Sequence, residues 1–270
     1  MKKIMQLMSG FILIFMLVSV STVNSVAATF EEIKNRGQLI VGMNAEYPPF
    51  EWVELVDGQT QIVGIDASIG QLIADEIGVE LVIDNRAFDS LIPSLNTDKI
   101  DLIISGMSNT EERAKVVDFS VAYYEPVSQF AVNIEDSENY QTIEDFNGKK
   151  VGALLTSTQD IYIKEYMPEV ELVSMGKNGD LVEALKAKKV DAILMSDLTL
   201  QQYLTNYGDS MMIVPNLDIT NELLGTSVAI AKDNTELLEV VDKVINKAKE
   251  SGQLEQIFAE NIEAATKKQQ

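Results

Sequence analysis

The chain has 270 residues, 46% of them apolar, enough to bury a core or two, and its 21 Lys and Arg against 42 Asp and Glu leave a net charge of −21. No Cys and no His occur, which excludes disulfides, thiolate or imidazole metal sites and any His-based triad. The acids are dispersed rather than run together, so they read as a solvated globular surface. Without a basic stripe the chain has nothing to meet phosphates, and nucleic acid is not an expected partner.

The N-terminus opens with Lys2-Lys3, continues through a mostly apolar stretch from Ile4 to Val18, and turns small and polar up to Ser25-Val26-Ala27-Ala28. That order is the pattern of a secretory signal peptide over residues 1–28. The alternative is an uncleaved anchor, since the apolar run nearly spans a bilayer. The first 28 residues carry two lysines and no acid, so the remainder holds 19 basic and 42 acidic side chains, a charge of −23. With no lipobox cysteine available, the expected location is the periplasm or the outer face of the membrane, without a lipid anchor.

Beyond the leader, strands and helices alternate. Phe30 to Arg36 is a short helix stopped by Gly37, and Leu39 to Met43 a buried strand. Pro48-Pro49 forces a loop. Glu51 to Val56, Asp57-Gly58 and Gln61 to Val63 read as a hairpin. Ala67 to Ile77 is an amphipathic helix closed by Gly78, and Leu81 to Ile83 a strand. Asp89 or Ser90 would cap a helix through Asn96. Leu102 to Ser105 is a strand, followed by a helix that Ser108 with Glu111, or Asn109 with Glu112, would cap. Lys150 to Leu154, Leu172-Val173 and Val190 to Leu194 are strands. They alternate with helices over Thr158 to Tyr166, Asp180 to Ala187 and Leu198 to Tyr207. Thr226 to Ile230 is a last strand and Thr235 to Ser251 a long helix, with Thr266 to Gln270 a frayed tail. Such alternation implies βαβ units in two α/β lobes, each a mostly parallel sheet flanked by helices. The segment Tyr124 to Ser128 has the length of a strand connecting them.

In open α/β sheets ligands bind beyond the carboxyl ends of strands. One such end leads to Arg113 in the first turn of a helix, where a cation is disfavoured and an anion nearby is expected. Another leads to Thr156-Ser157-Thr158-Gln159 at a helix start, where free N–H groups suit a carboxylate. Together they suggest a carboxylate site with a bidentate guanidinium. Tyr47, Phe50, Trp52 and Phe88 lie near strand ends of the first lobe.

From about Phe30 to Ala264 the chain resembles the polar amino-acid family of bacterial ABC-transporter solute-binding proteins. The segments that carry the resemblance are Gly37 to Gly42, Tyr47-Pro48-Pro49-Phe50-Glu51, Val63-Gly64-Ile65-Asp66, Phe88 to Leu95, Asp101 to Ser108, Thr110 to Arg113, Val117 to Ser120 and Tyr123-Tyr124. The resemblance implies a type II periplasmic-binding-protein fold with two crossover strands. Lobe 1 is expected over 29–124 and 222–270, lobe 2 over 128–216, and the hinge at 125–127 and 217–221. It implies that Arg113 grips a ligand α-carboxylate with Ser108 and Thr158, beside Ser157. Ser105, Gly106 and Ser196 would surround the α-amino group, next to Met107. Tyr47 and Phe88 would sandwich the side chain, while Asn44, Leu154 and Gln159 tune specificity. Two positions depart from the family pattern. Ser196 stands where relatives place an acid, with Asp197 next to it, and Asn44 stands where binders of cationic side chains carry Asp.

The implied function is capture of a free polar L-amino acid and its delivery to an ABC permease, by a monomer that needs no cofactor or metal. Flat aromatic faces, Glu46 and Glu51 favour a basic ligand, arginine, lysine or histidine, with glutamine next because Asn44 and Gln159 are neutral. The same fold also houses dehydratases of prephenate-like acids, in which Glu46 or Asp197 would be the positioned acid. N-terminal sequencing of the exported protein is expected to begin at Ala28 or Thr29; a start at Met1 would show an anchored form.

Overall fold

A computed structural model of the chain describes residues 28–220 and 225–267. The leader up to residue 27, residues 221–224 of the expected hinge and lobe 1 return, and the last three residues of the expected tail lie outside the described residues.

The chain enters through a reciprocal cap. The Thr29 hydroxyl accepts the Glu32 N–H at 3.3 Å, and the Glu32 carboxylate accepts the Thr29 N–H at 2.8 Å. Helix α1 (Phe30–Arg36) follows, then β1 (Gln38–Met43), the small antiparallel sheet β2 (Glu46–Tyr47), β3 (Glu51–Val56) and β4 (Gln59–Val63), and helix α2 (Ile65–Ile77). Next come β5 (Glu80–Asn85), α3 (Leu91–Leu95), β6 (Leu102–Ile103), α4 (Glu111–Ala114) and β7 (Val117–Phe119). The chain then crosses to a second sheet through β8 (Val127–Asn133). That lobe continues as β9 (Lys150–Leu154), α5 (Thr158–Tyr166), β10 (Glu171–Met175), α6 (Asn178–Lys186), β11 (Ala192–Ser196), α7 (Asp197–Tyr207) and β12 (Met211–Thr220). It returns to the first sheet as β13 (Ala229–Ala231) and finishes with α8 (Thr235–Glu250) and α9 (Gln253–Lys267).

The two five-stranded sheets have the orders β5-β1-β6-β13-β7 and β10-β9-β11-β8-β12. In each, one strand runs against the other four: β13 in the first and β8 in the second. These are the strands by which the chain enters each sheet from the other. A chain that arrives from the facing lobe comes in at the carboxyl ends of the parallel strands, so its first strand must run away from them. β8 and β12 pair with each other through Val127↔Thr220, Ser128↔Ile219 and Gln129↔Asp218.

The apolar periodicity of α8 places Leu237, Val241, Val244, Ile245 and Ala248 on one buried face. They pack with Ile69 and Ile73 of α2 and with Leu39 and Val41 of β1. Each large side chain so buried contributes about 1.5–3 kcal/mol. The second lobe is centred on a stack of rings: Phe146 lies 4.5 Å from Phe130 and 4.9 Å from Tyr140, centroid to centroid.

Several expectations need correction. The helix expected through Asn96 is a 3₁₀ turn, Phe88–Ser90, followed by Leu91–Leu95, and the Ser90 hydroxyl donates back to the Ala87 carbonyl at 2.7 Å rather than capping. Thr266 and Lys267, expected in a frayed tail, are the last turn of α9; the Thr266 hydroxyl donates to the Ile262 carbonyl at 2.8 Å. β7, β8, β12 and α9 are elements that periodicity does not reveal. β12 contains Pro215, which ordinarily demotes a strand. The ladder accommodates it by an irregularity between Ile213 and Asp218, with Asn216 at φ +58°.

Truncation of the fully buried ring in Phe146→Ala is expected to cost roughly 3–5 kcal/mol of stability in urea denaturation. A loss under about 1 kcal/mol would contradict the stacked core.

Candidate functional site

The carboxyl ends of β1, β6, β9 and β11 open onto one cleft between the lobes, of about 550 Å³ measured to its open mouth. Lobe 1 lines it with Asn44, Tyr47, Glu51, Phe88, Ser105, Gly106, Ser108 and Arg113. Lobe 2 faces them with Leu154, Ser157, Thr158, Gln159, Asn178, Leu194, Met195 and Ser196, and Pro126 contributes from the crossover.

Arg113 is 9% exposed. The helix that carries it is capped by Thr110, whose hydroxyl accepts the Arg113 N–H at 3.2 Å; neither Ser108 nor Asn109, the expected caps, does so. Ser108 is instead held in an extended bridge to Thr226. The Arg113 guanidinium donates from Nη1 to the Ser108 carbonyl at 2.8 Å and from Nη2 to the Thr156 carbonyl at 2.8 Å, one from each lobe. It also lies over the Phe88 ring, 5.4 Å from the centroid. No carboxylate pairs with it among the described residues. Burial lowers its pKa to about 10, so it remains a cation at neutral pH. A guanidinium has five N–H donors, and two carbonyls leave the others for a carboxylate.

Across the cleft, Ser157 caps α5 by accepting the Asp160 N–H at 3.1 Å. Thr158 and Gln159 begin the helix, where backbone N–H groups are free to meet an anion. Gln159 is tethered by Nε2 to the Ser128 hydroxyl at 2.8 Å, on the crossover strand. Tyr47 stacks on Phe50 at 5.1 Å with the planes 17° apart, and its hydroxyl meets Ser196 Oγ from the other lobe. Burial pushes the Tyr47 pKa up, so the phenol stays neutral. Gly106 sits at φ +55° directly under the Tyr47 ring, where a Cβ would strike the ring edge.

The floor is acidic. Asn44 donates its N–H to Ser105 Oγ at 3.0 Å and its Nδ2 to the Arg86 carbonyl at 3.0 Å, while its Oδ1 receives no donor. Ser105 donates to Glu51 Oε1 at 2.6 Å. Behind it, Asp66 accepts the Gly106 N–H at 2.7 Å and the Tyr123 hydroxyl at 2.9 Å. Glu51 and Asp66 are both fully buried. Burial, and after it the Asp66 charge, holds the Glu51 pKa well above the ordinary carboxylate range. Burial also raises that of Asp66 against the hydrogen bonds it accepts.

Three anticipated residues lie outside the cleft lining. Met107 alternates inward from Gly106 and Ser108 and is buried against Leu91 and Val117. Glu46 turns to the rim and pairs with Lys177 of lobe 2 at 2.5 Å. Asp197 accepts the Tyr124 hydroxyl at 2.9 and 3.0 Å. Of the lining residues that strand ends did not bring forward, Asn178 follows β10, which extends two residues past its expected end at Val173. Leu194 and Met195 are in β11 itself. Glu51 begins an antiparallel hairpin, which the rule for parallel strand ends does not reach.

The chain matches the bacterial extracellular solute-binding proteins, family 3, over residues 39–264. It belongs to this family. It is 34% identical over 223 residues to the arginine-binding extracellular protein ArtP of Bacillus subtilis, covering 82% of this chain and 84% of that one. It is 32% identical to ABC transporter arginine-binding protein 1 of Escherichia coli, over 80% and 87% of the two chains. The crystal structure of the amino acid ABC transporter substrate-binding protein AbpA from Streptococcus pneumoniae, bound to L-arginine, superposes with a TM-score of 0.84 at 39% identity, over 87% of this chain and 99% of that one. This solute-binding protein therefore has the two-lobed periplasmic-binding-protein fold with two crossover strands, and its relatives are transport proteins rather than enzymes.

Gly106→Ala is expected to destabilise more than Gly148→Ala. Gly148 has φ +73° with open space around it, so alanine there meets only the backbone cost of roughly 1–2 kcal/mol. At Gly106 the Tyr47 ring adds to it. Equal losses in urea denaturation would show that the ring does not confine this backbone.

Proposed function

We propose that this solute-binding protein captures a free L-α-amino acid with a basic side chain, arginine ahead of lysine and histidine, and delivers it to an ABC permease outside the cytoplasm. The observation that carries the reading is the buried Arg113, a cation that faces the polar cleft and is matched by carbonyls but, among the described residues, by no carboxylate. An α-carboxylate against its free N–H groups, with Ser108 on one side and Thr158 and the start of α5 on the other, supplies the missing charge. Tyr47 and Phe88 offer flat faces to an extended side chain, and Leu154 and Gln159 bound its path. The α-amino group is assigned to the Ser105–Gly106 turn and Ser196, since Asp197 is engaged by Tyr124. The relatives named for arginine support the same ligand class. Glutamine is the second reading: Asn44 is neutral, and the Asn178 Nδ2 at the cleft has no acceptor of its own.

A prephenate-type dehydration is disfavoured because the two acids expected for it are turned from the cleft, Glu46 to Lys177 and Asp197 to Tyr124, and because the named relatives are transport binding proteins. The hinge is assigned to residues 125–127 and 217–221, next to the pairs Val127↔Thr220 and Ser128↔Ile219 of the crossover strands, and the lobes to 29–124 with 222–270 and to 128–216. The protein acts as a monomer after removal of its signal peptide.

Calorimetry with arginine, lysine, histidine, glutamine, glutamate and aspartate tests the assignment. Arginine is expected to bind, and Arg113→Ala to weaken it on the order of a hundredfold or more, as roughly 3–5 kcal/mol is lost when one partner of a buried ion pair is removed. A change under about threefold would refute the carboxylate role.

A further inference from the structure

The floor of the cleft holds two fully buried carboxyls, Glu51 and Asp66, and among the described residues no Lys or Arg pairs with either. Their hydrogen bonds assign different roles. Both Asp66 oxygens take donors, the Gly106 N–H and the Tyr123 hydroxyl, which is how an anion is held. Glu51 takes the Ser105 hydroxyl on Oε1 while its buried Oε2 receives no donor among the described residues, and the Asp66 N–H, held by the Phe50 carbonyl at 2.9 Å, sets the two acids next to each other. Two carboxylates bond only with a proton between them.

The groups that face this pair contribute no positive charge. Asp66 comes from α2 and Tyr123 from the segment after β7. From β2, Tyr47 points its hydroxyl at Ser196, and Glu46 is turned away to Lys177. β4 carries no ionisable side chain. Glu51 also lines the cleft, beside the donor-free Oδ1 of Asn44.

We propose that Glu51 and Asp66 share one proton in the free protein, and that the cationic head of a basic ligand, seated against Asn44 Oδ1 and Glu51, displaces it. Glu51 then supplies the countercharge that an asparagine at position 44 lacks. The inference rests on the reading of the cleft as a site for a basic amino acid, and it fits the charge count. With the proton in place, the cation of Arg113 and the single negative charge of the pair suit a ligand of no net charge. A ligand with one extra positive charge is matched when the proton leaves. The bond broken is Glu51 O–H, and the proton passes to solvent.

Calorimetric titration of the intact protein with arginine, in phosphate and in Tris at one neutral pH, counts the protons. Close to one proton released per arginine bound is expected. Arginine affinity should also rise with pH, by at most tenfold per pH unit for a single linked proton. The isosteric Glu51→Gln should abolish the release and weaken arginine at least about tenfold. Should Glu51→Gln fail to fold, the proton count of the wild-type protein decides alone, and Asp66→Asn is the second variant, also expected to lose the release. Arginine binding with no proton release overturns the proposal and leaves the basic-ligand reading intact. The absence of any arginine binding overturns both.

Discussion

The arrangement depends on one buried cation. Arg113 is withdrawn from water in a helix of only four residues, Glu111–Ala114, too short for its dipole to hold a charge. An ion taken out of solvent costs several kcal/mol unless its partners restore what hydration gave. Here two carbonyls restore part of it, and they come from opposite lobes, Ser108 from the first and Thr156 from the second. The guanidinium is therefore both a charge that invites a carboxylate and a link between the two halves. The φ of +63° at Thr156 belongs to the same arrangement, since it sits in the turn that presents its carbonyl across the cleft.

The sheets explain why such a meeting occurs at this level of the molecule. Parallel strands in both lobes end at the cleft, and the strand by which the chain enters each sheet must run the other way. Loops with short polar side chains thus converge from two sides, and the crossover strands lie at their edge. Further polar contacts close the space: Tyr47 to Ser196, Tyr124 to Asp197, and Glu46 to Lys177. The last is half exposed, so water and salt leave it little weight. The two part-buried hydroxyl contacts define the wall more firmly, because a polar group largely removed from water keeps its partner.

Charge is divided between outside and inside. The acidic surface reaches a ligand only across solvent, where salt screens it beyond about 8 Å. Inside, the cleft sets the buried Arg113 of one lobe against the α5 helix start of the other, with Glu51 in its lining and Asp66 fully buried behind it.

Much of this was legible in the residues. The alternation of apolar runs announced two sets of βαβ units, because a strand buried on both faces and an amphipathic helix differ in period. The strand-end rule led to Arg113 and to Thr156 through Gln159, since the cleft lies where parallel strands stop. What tertiary structure alone decided has a common cause. β8 and β12 are strands because they pair with each other, an interaction between residues some ninety apart in the chain, as in Gln129 and Asp218. Met107, flanked by Gly106 and Ser108, is turned from the cleft by the alternation of the extended chain, and its destination in the core is set by Leu91 and Val117. Asp197 and Glu46 carry charge in the sequence, but only the approach of Tyr124 and Lys177 directs it away from the cleft. Glu51 is an ordinary hairpin residue until α2 brings Asp66 beside it. Periodicity records how a segment meets the core, whereas the partner of a buried polar group is settled by which distant segment arrives next to it.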